Sequence, residues 1–358
     1  MLEVISVILT FAPFILILWL ANLGQRLRER DLPYMPPVVV AYTFLILLYL
    51  FLALGGFVLL IAWVVFTNQP ELITQAAPAM LLKPDSIASW PWLVFGTLIP
   101  ALLGLALLLK PVRRFCARFL AIDPGHPVHT VALSMSMMAI ISMGFTMGIG
   151  LRTLSVQVAE QMEQTGAAPI SLATLWVQAL MFVLTALIGV GWLSRRSFRA
   201  ALTRLGVVRP TGRQVLIGLG LAPLLALAVI SFEALINVAG LGMNPDVEAL
   251  TEQLLGPLFA SPIGILSVGL AAAIGEEPLF RGAIQPRFGI LVTALLFAVV
   301  HNNYGFSFAT LVVFGLGLVL GLVRVRYNTT TAMITHALYN SILGTMAYLA
   351  AQYVMQQQ

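Results

Sequence analysis

Long apolar stretches follow one another along this chain, and its polar residues gather into short connections between them. The stretches lie near 3–23, 37–67, 91–109, 128–151, 169–193, 214–237, 262–285, 289–302, 307–325 and 330–352. About 20 apolar residues wound as a helix cross the hydrocarbon of a bilayer. The pattern therefore predicts an all-α, polytopic membrane protein with about ten transmembrane helices. The second stretch is longer than one crossing needs, so it should tilt or carry a turn outside the membrane. The eighth is short, and its end at Asn302-Asn303-Tyr304-Gly305 is the softest boundary.

The connections alternate in charge. Arg26, Arg28 and Arg30 follow the first stretch, and Lys110, Arg113, Arg114 and Arg118 follow the third. Arginines from Arg195 to Arg213 follow the fifth, Arg287 the seventh, and Arg324 and Arg326 the ninth. The intervening connections carry Glu71 and Asp85, then Glu160 and Glu163, then Asp246, Glu248 and Glu252. Basic loops stay in the cytosol, so both termini are expected on the extracytoplasmic side, with the bacterial inner membrane as the expected setting. The first stretch has no basic residue before it and reads as a retained helix, not a cleaved signal.

Composition agrees: 60% of residues are hydrophobic and 9% charged, against roughly 45–50% and 25% in soluble domains. The net charge of +5 does not point to nucleic acid, because the cations sit in the inter-helix loops. The arginine-rich stretch 195–213 is expected to meet anionic lipid headgroups. A single cysteine, Cys116, excludes an intramolecular disulfide and a cysteine-based zinc site, and it should pack at a helix end. No internal repeat is evident. The Pro- and charge-rich connection 68–90 and the stretch 157–169 are candidate boundaries. The chain divides near 168 into a four-helix N-terminal part (1–168) and a six-helix C-terminal part (169–358), which holds the chemistry.

That chemistry begins at Ile274-Gly-Glu-Glu-Pro-Leu-Phe-Arg-Gly282, two carboxylates and an arginine within an apolar run. A charge inside the hydrocarbon costs at least a few kcal/mol and is rare without a task. Glu277 and Arg281 are four apart and can neutralise each other on one helix face. Glu276 lies about 100° round the helix and has no sequence-local partner, which suits a general base. Phe297-Ala-Val-Val-His301 puts an aromatic ring and a histidine on one face of the eighth helix, and His336-Ala-Leu-Tyr-Asn340 does the same for a histidine and an amide on the tenth. Depth counted from Arg287 and Arg326 lets Glu276, His301, His336 and Asn340 meet in one polar pocket in the cytosolic half of the membrane, open to the cytosol. Such a pocket supports water activation with oxyanion stabilisation, or it holds a metal with one open position.

These three motifs, Glu276-Glu277-Pro-Leu-Phe-Arg281-Gly, Phe297-x-x-x-His301 and His336-x-x-x-Asn340, resemble those of the CAAX-protease and bacteriocin-processing family, intramembrane peptidases related to the type II CAAX prenyl endopeptidases. The resemblance covers about 260–350. It implies an intramembrane endopeptidase acting near the cytosolic leaflet on a peptide or membrane-protein substrate, lipidated or not. Glu276 would be the base, His301 would assist it or bind metal, and His336 and Asn340 would form the oxyanion site or complete a metal shell. Glu277 and Arg281 would support them. Zinc is one reading of the cofactor, held by Glu276, His301, His336 and Asn340 as a metalloprotease would hold it; a metal-free glutamate mechanism is the other. A non-catalytic scaffold or bacteriocin-immunity protein of the same fold is the rival reading, and a proton-coupled transporter a weaker one. Among residues outside the motifs, Glu233 favours an interfacial or hydrogen-bonded role over a place in the same cavity, and Asn302 and Asn303 are candidates for a cap or substrate contact. His126 and His129 favour a solvated helix start over a ligand pair.

Overall fold

The computed structural model describes residues 2–69, 87–242 and 244–357. Glu71, Asp85 and most of the 68–90 connection lie outside the described residues. Helices α1 (Leu2–Arg28) and α2 (Met35–Asn68) are followed by α3 (Trp90–Ala106) and the short α4 (Lys110–Cys116). Then come α5 (Pro127–Ile149), α6 (Leu151–Thr165), α7 (Leu172–Gly189), α8 (Phe198–Leu205) and α9 (Gly212–Val238). Last are α10 (Pro245–Phe259), α11 (Pro262–Glu277), α12 (Gln285–Val300), α13 (Phe308–Arg326) and α14 (Thr329–Met355). There is no strand among the described residues, and the all-α expectation holds.

Among the described residues, seven helices are long and apolar enough to cross a membrane, eight if α3 and α4, bent by 100°, count as one span. This is fewer than the ten expected, for two reasons. The predicted seventh and eighth stretches form one helical run, Pro262–Val300, broken only at Gly289, whose φ of 77° and ψ of 171° are not helical. The tenth, α14, carries threonines, His336 and Asn340 and is not apolar enough to count. The long second stretch is a single helix of 34 residues with no turn in it; at about 1.5 Å per residue it outruns the roughly 30 Å hydrocarbon, so it must tilt or protrude. Helices α6, α8 and α10 are the polar-faced segments between spans, with α6 and α8 each ending at a left-handed glycine, Gly166 and Gly206.

Between helices in lipid, apolar surface gains little by leaving hydrocarbon, so small residues that let backbones approach do the packing. In the N-terminal part, Gly96 of α3 meets Gly144 of α5: a Cβ on either would lie within 2.6 Å of the other's Cα. Apolar side chains from α1, α2, α3, α5 and α7 fill the surrounding core, among them Ile17, Leu45, Tyr49 and Val131. The parts divided near 168 touch, for α1 packs on α7 and α5 on α12.

The helix that carries the glutamates is hemmed in on three sides. A Cβ at Gly269 of α11 would meet Ser341 Oγ at 2.5 Å and the Ala337 carbonyl at 2.6 Å, so α14 lies directly against it. Gly275 abuts Ala179 of α7, and Gly282 abuts the Leu205 carbonyl at the end of α8. Ser261 caps the start of α11 by accepting from the Gly264 N–H, and Asn328 caps α14 by accepting from the Thr331 N–H. These contacts and caps fix the register of α11 against α14, and so the meeting of their polar residues.

Candidate functional site

Pro278 has no N–H to donate, so the regular ladder of α11 fails there, and residues Pro278–Ile284 widen into a π-helical turn. Glu277 is the last residue before the turn and Arg281 lies inside it, both fully buried. Arg281 Nε approaches Glu277 Oε2 at 3.2 Å, as the i,i+4 spacing predicts. The guanidinium carbon also lies 4.5 Å from the centroid of the Phe297 ring, an arrangement in which the ring face attracts the cation. Its two terminal nitrogens have no hydrogen-bond partner among the described residues.

The other oxygen of Glu277 faces α14. His336 Nδ1 stands 3.0 Å from Glu277 Oε1, with both side chains buried. A carboxylate accepts, so Nδ1 carries the proton and donates it, leaving Nε2 for the cavity. His301 is fixed in the same way. Its Nδ1 donates to the Phe297 carbonyl at 2.7 Å, which again leaves Nε2 free. Phe297, wholly buried, holds the site together: its ring centroid lies 4.7 Å from His301, 6.0 Å from His336 and 5.2 Å from Phe280. Asn302 donates to Ser142 Oγ at 2.6 Å and ties the end of α12 to α5.

Glu276, His301, His336 and Asn340 all line one cavity of about 630 Å³. Glu276 is half-buried, and its Oε2 has no hydrogen-bond partner among the described residues. Glu233, Asn303, Tyr304 and Tyr339 line the same space, so the α9 glutamate joins the cavity and Asn303, not Asn302, faces it. Glu248 and Glu252 of α10, both exposed, complete its outer wall.

The direction of the cavity corrects the depth argument. Its far walls are Ile170 just before α7, Leu175 in its first turn, the helix α10, Ala309 in α13 and Ala347 in α14. Each of these lies at the end of its helix opposite the arginine loops. Glu276 is nearer the basic end, roughly 16 Å along the helix from Arg287 against roughly 21 Å from Pro262. Yet no lining residue belongs to a basic loop. Counting residues from arginines locates depth but not access, and α10, too polar to be read as a span, makes the wall.

One other expectation changes in part. His126 and His129 do sit at the start of α5, where their rings stack at 4.2 Å, but they are half-buried, and burial holds His126 down at about 3. Among the described residues no three His, Cys, Asp or Glu side chains converge closely enough to hold a metal ion. Glu276, His301 and His336 share a cavity without forming a ready ligand set.

Fold and site together define an all-α integral membrane protein with glutamates, imidazoles and an amide gathered in a cavity inside its C-terminal bundle. Residues 258–342 match the model of the family described as Type II CAAX prenyl endopeptidase Rce1-like. The match spans all three motifs and points to a CAAX-type peptidase acting on a peptide or protein. No curated protein and no solved structure matches the chain.

Proposed function

We propose that the chain is an intramembrane endopeptidase in which Glu276 activates the attacking water. The observation that carries this reading is the division of labour between the adjacent glutamates. Glu277 is spent on Arg281 and His336, whereas Glu276 has an unpartnered oxygen and a cavity before it. A paired carboxylate makes a poor base, and an unpaired one on a cavity wall makes a good one.

The chemistry then runs through this chain's own groups. Glu276 takes a proton from water as its oxygen attacks the scissile carbonyl. His301, its Nδ1 committed to Phe297, presents the Nε2 lone pair to the same water and orients it. The carbonyl oxygen gathers negative charge as the carbon becomes tetrahedral. The Asn340 amide donates to it, and so does His336 in its imidazolium form, held by Glu277 from behind. Glu276 returns the proton to the leaving nitrogen as the C–N bond breaks. Arg281 does not touch substrate; it keeps Glu277 ionised and in place.

Membrane-embedded peptide substrates, lipidated or not, suit a cavity bounded by apolar helices. The proposed setting is a bacterial inner membrane with the basic loops in the cytosol, the bond being cut at the depth of Glu276 in the half nearer those loops. The test is product detection by mass spectrometry, from membranes carrying wild type and Glu276→Gln. Loss of general-base catalysis should slow cleavage by about 10²–10⁴-fold with yield and melting unchanged. Equal product from both would refute the role of Glu276.

A further inference from the structure

A second cavity, of about 350 Å³, lies on the other side of the Phe280–Phe297 wall and uses none of the four residues above. It is a cleft between α1, α5, α7 and the π-turn with α12. Its inner surface is apolar, with Phe11 and Phe14 from α1, Met138 from α5 and Phe182 from α7. From His129 to Ala139 along α5 the lined wall runs roughly 15 Å, the hydrocarbon depth of one leaflet. At the basic-loop end the character reverses, and His126, His129, Arg195, Arg196, Arg204 and Arg287 form the mouth.

The positive charge there is poorly matched by acids. Arg195 pairs with Glu29 at 3.1 Å. Arg204 and Arg287 reach only the carbonyls of Gly282 and Ala121, each at 3.4 Å, and Arg196 only that of Val190. Asp123, exposed beside the histidines, is the other acid near the mouth. Burial, with the guanidinium groups of Arg287, Arg196, Arg324 and Arg195 close by, brings Arg204 down to about 10. The group is still charged at neutral pH, and an anion at the mouth would relieve the repulsion.

We infer that this cleft is a binding site for one anionic phospholipid, with a chain along the Phe11–Phe182 wall and the phosphate between Arg204 and Arg287. Charge complementarity selects the occupant: a zwitterionic lipid offers the same chain but no net charge to these arginines, and free phosphate offers the charge without the chain. The site lies where the leaflet on the basic-loop side would supply such a lipid. The assignment does not depend on the hydrolytic reading. It has a consequence for that reading, because Phe182 lines both cavities and Phe280 of the cleft packs edge-on against Phe297 at 5.2 Å.

The experiment is native mass spectrometry of the full chain, purified in a neutral detergent and titrated separately with phosphatidylglycerol, phosphatidylcholine and glycerol phosphate. Wild type should retain one phosphatidylglycerol at concentrations where phosphatidylcholine and glycerol phosphate leave no adduct. Near the membrane surface each arginine contributes about fivefold in affinity, so Arg204→Gln with Arg287→Gln should weaken retention roughly 25-fold. Ala139→Phe, which fills the cleft without changing charge, should abolish it. Equal retention of the two phospholipids, binding of glycerol phosphate alone, or undiminished retention by the arginine variant would each overturn the assignment. If Ala139→Phe fails to fold, the arginine variant, altered only at the half-buried mouth, decides alone. Glu276→Gln should retain lipid as wild type does, which separates this test from the catalytic one.

Discussion

Replacing Glu277 by glutamine changes one oxygen for an amide and almost no volume, yet it should cost the protein much of its stability. Arg281 is fully buried, and its contacts with charge are the 3.2 Å approach to Glu277 and the face of Phe297 at 4.5 Å. Guanidinium groups do not give up their proton in proteins. The variant therefore strands a full charge away from water. Removing one partner of a buried pair costs about 3–5 kcal/mol, and at about 2–4 °C per kcal/mol for a large domain the melting temperature should fall by roughly 6–20 °C. Replacing the whole pair with neutral groups of similar size is often neutral or better, so Glu277→Gln with Arg281→Met should recover most of the loss. Activity should not recover, because His336 would have lost the carboxylate that holds its imidazolium form. The assay is a tryptophan-fluorescence or thiol-reactive-dye melt in detergent, with single and double variants side by side. A single variant melting within 2 °C of wild type, or a double variant no better than the single, would show that the pair is not what holds this turn.

The other expected outcomes are simpler to state. Gly269→Leu should drive α11 from α14, costing about 1–3 kcal/mol for overpacking and losing activity more than stability, because Glu277 and His336 then part; a stable, active variant would contradict the close crossing. Asn340→Ala should lower turnover by about 10²–10³-fold, as loss of one oxyanion donor does, with no change in melting; an unchanged rate would remove Asn340 from the mechanism. Cleavage should persist in 1,10-phenanthroline, and a rate lost to the chelator and restored by added zinc would replace the glutamate route with a metal-dependent one. A tag inserted near Arg204 should be cytosolic and a reporter after Gln358 extracytoplasmic, and opposite labelling of both would reverse the topology.

What could be read in the chain follows from which forces are local. Span positions and the Glu277–Arg281 pair were legible, because helix length and an i,i+4 spacing are sequence-local quantities. The break before the eighth stretch is made at Gly289, with a φ of 77°. The 3.0 Å bond from His336 to Glu277 was not visible. It joins residues 59 apart and depends on a glycine face of α11 whose partner helix no spacing reveals. The Phe297 hub had a weak signal, its place four residues before His301. The half-burial of His126 and His129 was not legible, because a polar loop reads as solvated until the helices that cover it are in place.

The arginine loops and the cavity lie at opposite ends of the C-terminal bundle. The proposed orientation puts the arginine loops in the cytosol, and Glu276 lies nearer that end, but its cavity runs to the opposite end, past α10 and the acidic residues Glu248 and Glu252. Both can hold, because α12 does not complete a crossing. After the break at Gly289 it runs only to Val300, and the chain then turns through Asn302–Tyr304 into α13. A helix that stops partway leaves a volume above its end that lipid-facing neighbours do not fill, and non-helical backbone at such depth is tolerated where it lines a water-filled cavity. The turn at His301 thus lets polar residues face a cavity there. Deepening the cavity from the basic side would have required breaking the π-turn, where Glu277, Arg281 and Gly282 are all buried against neighbouring helices. Access from the α10 side costs no such contact, so the catalytic water should enter from the end where the acidic loops lie.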